Sequence, residues 1–251
     1  MDWAKRIGIL ALVLITIIFL ATMLIIGTGN LILGDEQLFM ALNPDHPTPF
    51  DEFFKFFSTW GPGKFGLGIY LYLGFALTLL FLSLKYSTLQ PMRFMLLLII
   101  VSFIVGYLGI YLSLNFIIGR DRPFMNPVLL SNANYLFTDP AEIFYGASFP
   151  SGHATTGFIF ATPFVLLFKK YWIRLSAIIY GILMGYARIY LGGHFPLDVL
   201  VGSLVGILSV WVCYIIFKKY VVPRVPWFQY IEPEKMIEES DKYEEELEDK
   251  L

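Results

Sequence analysis

FMLLLIIVSFIVGYLGIYLSLNFII, from Phe94 to Ile118, runs for twenty-five residues without a charge. The hydrocarbon core of a bilayer is about 30 Å thick and takes about 20 apolar residues of helix to cross, so this stretch is long enough to span it. Arg93 closes it at one end and Gly119-Arg120-Asp121-Arg122-Pro123 at the other. The pattern repeats outward in both directions. Upstream, Ile7 to Ile26 and Phe65 to Leu84 are twenty-residue runs free of charge. Downstream lie 151–168, then 172–191 (which carries Arg174 and Arg188 near its ends), then 196–217. The expected fold is all-α: a polytopic membrane protein built as a bundle of six transmembrane helices, at about 7–26, 65–84, 94–118, 151–168, 172–191 and 196–217. Residues 1–231 form this membrane domain, and 232–251 form an acidic tail.

Composition supports the same class. Of 251 residues, 57% are hydrophobic and only 15% charged, and mean hydropathy is +0.67. Soluble domains carry about 25% charge. Too few charged side chains remain to coat a water-facing surface, which argues against a soluble enzyme, a disordered chain and a nucleic-acid-binding protein. The net charge of −2 is unevenly spread: the tail from Glu232 holds ten acidic residues against three lysines. The single cysteine, Cys213, lies in an apolar run and excludes intrachain disulfides. Ile7 to Ile26 exceeds the 7–15 residues of a secretory h-region and is expected to be a retained helix.

Short-loop lysines and arginines set the expected orientation. Lys5 and Arg6, Lys85 and Arg93, Lys169 and Lys170, and Lys218, Lys219 and Arg224 all fall on one side of six spans. That side is expected to be cytoplasmic, with both termini, in a cell (plasma) membrane. Arg120 and Arg122 run against this grain on the outer side. The outer connection 27–64 also contains DEFFKFFSTW, Asp51 to Trp60. Its aromatic residues beside charges suit a helix lying in the membrane interface, either as an anchoring belt or as a lip that guides lipid.

Ionisable residues at membrane helix ends are costly and mark function. Three clusters gather on the outer face: Arg120-Asp121-Arg122-Pro123, Pro150-Ser151-Gly152-His153, and Arg188 with His194 and Asp198. Ser151 is a favoured N-cap and Pro196 suits a first helical turn, so two helix N-termini would aim positive dipole ends at one spot, as anion sites do. Arg122, Arg188 and Arg120 add planar cationic forks suited to phosphate oxygens. His194 and Asp198, four apart, would lie on one helix face, the carboxylate fixing the imidazole tautomer and leaving the other nitrogen basic. His153 from a neighbouring helix would supply a proton to a leaving group. Together these specify phosphoryl transfer from an anionic substrate.

The clusters resemble the motifs of the type-2 phosphatidic acid phosphatase superfamily, Lys-x6-Arg-Pro, Pro-Ser-Gly-His and Ser-Arg-x5-His-x3-Asp. The second is complete at Pro150 to His153. The third has Arg188, His194 and Asp198 at the right spacing, with Ala187 for serine. In the first, Arg122-Pro123 fits and Asn115 stands at the lysine position. The resemblance implies an integral membrane phosphatase acting on a lipid phosphate or pyrophosphate, with no metal or other cofactor. It also implies that His194 attacks phosphorus, Asp198 orients it, and His153 is acid and then base. Arg122, Arg188, Ser151 and the Gly152 N–H would hold the phosphoryl oxygens, with Asn115 contacting phosphate as a hydrogen-bond donor without the lysine's charge and Arg120 as a candidate replacement for that charge. Two rivals remain on sequence grounds. One is a metal hydrolase using His153, His194 and Asp198; the other is a non-catalytic binder or transporter of anionic lipid.

Overall fold

The computed structural model describes residues 32–43, 48–60, 67–125, 129, 147–168 and 170–225. The expected first span, His46, most of the loop following Arg122-Pro123 and the acidic tail lie outside the described residues. Those residues are all helical or irregular, with no strand among them.

Two short helices come first, α1 (Ile32–Leu42) and α2 (Asp51–Trp60), followed by α3 (Leu67–Lys85). Next, α4 starts at Arg93–Ser102, widens into a π-helical stretch at Phe103–Tyr111 and closes with Leu112–Ile118. Then come α5 (Gly152–Leu167), α6 (Tyr171–Tyr190) and α7 (Pro196–Ile216), which continues as a π-helical turn over Phe217–Val221. The runs Arg93–Met125 and Pro196–Val221 are the two that are long and apolar enough to cross a membrane by length and composition.

The residue pattern explains the packing. α5 is the central helix, with α6 and α7 laid along it. It tolerates close neighbours because α7 presents glycines to it. A Cβ on Gly202 would stand 2.4 Å from the Ser151 carbonyl oxygen, and one on Gly206 would stand 2.4 Å from that of Thr155. Small residues four apart let helix backbones meet this closely. On α4, Phe94, Leu98, Phe103 and Tyr107 pack with Ile159 and Phe160 of α5 and Val210 and Cys213 of α7. Phe103, Tyr107 and Tyr111 stack in a column toward the end of α5 that bears Ser151. Other faces are apolar and exposed, including Tyr70, Phe75 and Phe81 of α3 and Phe116, Ile117 and Leu108 of α4. Such faces suit contact with lipid.

The short helices are tied to the end of α6. The Asn43 side chain donates to the carbonyls of Ile189 at 3.2 Å and Tyr190 at 2.9 Å. Asp51, first residue of α2, accepts from the Thr48 N–H and hydroxyl and from the Tyr190 hydroxyl. Phe54 is buried against Tyr186 and Tyr190, whereas Phe53 and Phe56 stay exposed. α2 is thus anchored to α6 through one aromatic face while the other is uncovered.

Candidate active site

Both helix starts form where local residue chemistry favours them, and they are joined to each other. Ser151 caps α5 in an extended conformation, its hydroxyl accepting from the Ala154 N–H at 3.5 Å. α7 starts at Pro196, and the Asp198 carboxylate reaches back to accept the Phe195 N–H at 2.9 Å, which satisfies a donor that a helix start leaves open. The Ser151 N–H donates to the Asp198 carbonyl at 2.8 Å, so the two N-termini are fixed side by side. The turn before α7 passes through Gly192 at φ +80, a left-handed conformation that glycine adopts freely. It folds so that the Gly193 and His194 N–H groups donate to the Arg188 carbonyl at 2.8 and 3.2 Å.

His194 is buried here. Its Nδ1 lies 2.7 Å from the Ser148 carbonyl oxygen. A carbonyl only accepts, so Nδ1 carries the proton and Nε2 keeps its lone pair. Nε2 stands 3.4 Å from Arg122 Nη1, which also donates to the Gly193 carbonyl at 3.1 Å. The expected direct bond from His194 to Asp198 is long, at 3.7 Å. The reason is local: α7 begins after His194, so the imidazole is not on the helical face that a spacing of four would give it. The Asp198 oxygens are taken instead by the Phe195 N–H, the Ser148 hydroxyl and Arg120. Asp198 acts on His194 through Ser148, whose hydroxyl bonds the carboxylate while its carbonyl holds the ring.

His153, on the first turn of α5, places Nε2 3.0 Å from the Ser58 carbonyl oxygen, which makes Nε2 its protonated nitrogen. Arg188 Nη1 donates to the hydroxyl of the same Ser58. The end of α2 therefore meets one imidazole and one guanidinium of the site. Tyr111 approaches from α4, its hydroxyl so close that a Cβ on Gly152 would stand 3.0 Å from it.

Two expected phosphate contacts have other partners. Asn115 donates its amide to the carbonyls of Ala147 at 2.8 Å and Phe149 at 3.0 Å, fastening the segment that carries Ser148. Arg120 lies between carboxylates, 2.7 Å from Asp198 Oδ1 and 2.7 Å from Asp35 Oδ2, with its guanidinium 4.0 Å over the Phe195 ring. Asp35 reaches in from α1, its Oδ1 accepting the Leu197 N–H at 2.9 Å. Burial pushes the Asp35 carboxyl above its ordinary range, and the Arg120 charge pulls it back.

Sequence reasoning missed Ser58, Ser148 and Asp35. Asp35 had a signal, being an acidic residue in the apolar run LILGDEQLFMAL. Ser58 and Ser148 had none, because each combines a backbone carbonyl that every residue carries with a hydroxyl whose partner lies far along the chain. Among the described residues, no three His, Cys, Asp or Glu side chains come together as a metal-binding group.

Comparison with known proteins converges on one family. The model described as "PAP2 superfamily" matches residues 90–221, which contain every cluster above. A lipid A 4'-phosphatase of Bacteroides thetaiotaomicron is 31% identical over 105 residues, 41% of this chain and 45% of that protein. A putative undecaprenyl-diphosphatase of Escherichia coli is 36% identical over 90 residues, 36% of this chain and 41% of that one. The chain thus spans less than half the length of either curated relative. A crystal structure of a transmembrane PAP2-type phosphatidylglycerolphosphate phosphatase from Bacillus subtilis superposes with a TM-score of 0.60 at 21% identity, covering 81% of this chain and 95% of that one. It shares the fold.

Proposed function

Because the chain belongs to the PAP2 superfamily, we propose that it is an integral membrane phosphatase that hydrolyses a lipid phosphate monoester or pyrophosphate through a phosphohistidine. One observation carries this reading: His194 is held with Nδ1 protonated against the Ser148 carbonyl and with Nε2 facing Arg122. That is the tautomer a nucleophilic imidazole needs.

His194 Nε2 attacks phosphorus, the N–P bond forming as the P–O bond to the lipid breaks. Arg122, Arg188, Ser151 and the Gly152 N–H, at the α5 terminus, take the charge on the phosphoryl oxygens. His153, as the imidazolium, gives its Nε2 proton to the departing oxygen and is left neutral. Water then loses a proton to His153 and attacks phosphorus, the N–P bond breaks, and phosphate leaves with His194 neutral again. His153 Nε2 donates to the Ser58 carbonyl, so the leaving oxygen takes the place of that carbonyl.

Six spans, as the apolar runs of the sequence favour, would put the helix ends bearing the site on the outer face of a plasma membrane, with both termini and the acidic tail in the cytoplasm, as the short-loop lysines and arginines favour. Exposed Phe53 and Phe56 on α2, beside the site, are where the acyl or prenyl chain of a substrate would lie. The two curated relatives differ in the lipid that their names give, so substrate class is the level the comparison supports.

The test is phosphate release by the detergent-purified protein, under excess chelator, from phosphatidate, phosphatidylglycerol phosphate, undecaprenyl pyrophosphate and lipid A. Release from at least one lipid, lost in His194→Ala by on the order of 10⁴-fold or more, is expected. No release from any of the four together with no binding of vanadate, a mimic of five-coordinate phosphorus, would replace the enzyme with a lipid-binding protein.

A further inference from the structure

α1 brings one carboxylate to the site, and the reaction scheme above does not use it. Asp35 is 9% exposed. Its two oxygens do two different things: Oδ1 accepts the Leu197 N–H in the first turn of α7, and Oδ2 pairs with Arg120. Arg120 in turn pairs with Asp198, Asp198 bonds the Ser148 hydroxyl, and the Ser148 carbonyl holds His194 Nδ1. These groups make one unbroken row from α1 to the imidazole. With both acids ionised the charges in it alternate, two carboxylates about one guanidinium, for a net single negative charge beside the histidine.

That net charge has a use. When Nε2 bonds phosphorus while Nδ1 keeps its proton, the ring becomes a cation. A guanidinium paired to Asp198 alone would cancel the carboxylate's field at the imidazole, because opposite charges at contact largely neutralise each other. A second carboxylate on the far side of Arg120 restores it. It also holds Arg120 in line with Asp198, braced over the Phe195 ring.

We propose that Asp35 is a positioning residue for phosphoryl transfer: through Arg120 it holds Asp198 in place and keeps the net negative charge that stabilises phosphorylated His194. This rests on the phosphatase reading and adds to it a residue outside the three motifs.

The experiment measures kcat, KM and vanadate inhibition in wild type, Asp35→Asn, Asp35→Glu, Arg120→Gln and the Asp35→Asn/Arg120→Gln double variant. All are purified in detergent and checked by thermal melting. Asp35→Asn keeps the shape and the acceptor for Leu197 while deleting the charge. It should lower kcat on the order of tenfold, the range of measured coupling between neighbouring charged groups, with KM within about twofold and vanadate inhibition weakened in parallel with kcat, because vanadate on Nε2 puts the same positive charge on the ring. Asp35→Glu, which keeps the charge, should retain most of kcat. The sharpest readout is the double variant. With Arg120 neutral, two buried carboxylates face each other unrelieved, so removing the Asp35 charge should then cost nothing or restore part of the rate.

An equal loss from Asp35→Asn on both backgrounds would overturn the proposal. So would a loss confined to KM, a loss in kcat with vanadate inhibition untouched, or an Asp35→Glu variant as slow as Asp35→Asn at unchanged melting temperature. Should Asp35→Asn not survive purification, Asp35→Glu and Arg120→Gln decide alone: the first retaining kcat while the second loses it supports the row, and any other pairing overturns it. A wild type inactive on every lipid would instead count against the phosphatase reading, so the two failures are separable.

Discussion

The two histidines stand at adjacent helix starts, yet they are held in opposite ways. His194 is fixed from within. Its Nδ1 is bonded to Ser148, a residue whose hydroxyl is locked on Asp198 and whose segment Asn115 ties to the end of α4. His153 rests its Nε2 proton on Ser58, in the α2 helix laid over the site and carrying exposed Phe53 and Phe56. The contrast follows the division of labour in two-step phosphoryl transfer. A nucleophile gains from preorganisation, and its support is buried. An acid that must meet a leaving oxygen is better parked on a weak, neutral carbonyl that the substrate displaces.

The largest test of this contrast is His153→Ala. A lipid alkoxide needs a proton to depart, so turnover on phosphatidate should fall by about 10² to 10⁴-fold. An activated aryl phosphate, whose leaving group departs unprotonated, should show a much smaller loss in the first step. Steady-state rates beside the single-turnover burst for the two substrates check this, and equal losses in both would mean His153 is not the acid.

A smaller effect separates scaffold from cover. Ser58→Ala deletes the hydroxyl that Arg188 contacts but leaves the carbonyl on His153. One hydrogen bond to a charged group contributes about 1.5–3 kcal/mol. Vanadate should therefore bind this variant at least about tenfold more tightly, because the anion no longer competes with the hydroxyl for Arg188. Weaker binding would make Ser58 part of the cradle rather than its cover.

Much of this was written in local sequence. Uninterrupted apolar runs dictate α3, α4 and α7, and the helices begin and end within a few residues of those runs. Ser151 before an apolar segment is legible as a cap, and Pro196 as a first turn. The orientation of His194 was not legible. The helix start near Phe195 was legible, and α7 does begin at Pro196, but His194 then lies just outside the helix and gives Nδ1 to a backbone carbonyl from another segment. The same holds for Arg120. A guanidinium beside a predicted anion site looks available for phosphate, and only the return of α1 reveals the second carboxylate that claims it. Asn115, read as a weakened cationic contact, donates to the chain that carries Ser148, a use invisible without knowing which carbonyls pass overhead. Long-range pairing of polar groups to backbone is thus what the sequence withheld.

The covalent step tests the account most directly. His153→Ala should form the phosphoryl-enzyme from an activated aryl phosphate and hydrolyse it slowly, since water activation has lost its base. Peptide mass analysis of the trapped protein under alkaline handling, which preserves phosphohistidine, should find the phosphoryl group on His194. Recovery of the adduct on another residue, or a wild type that turns over the same substrate while no adduct forms in the variant, would contradict attack by His194 Nε2.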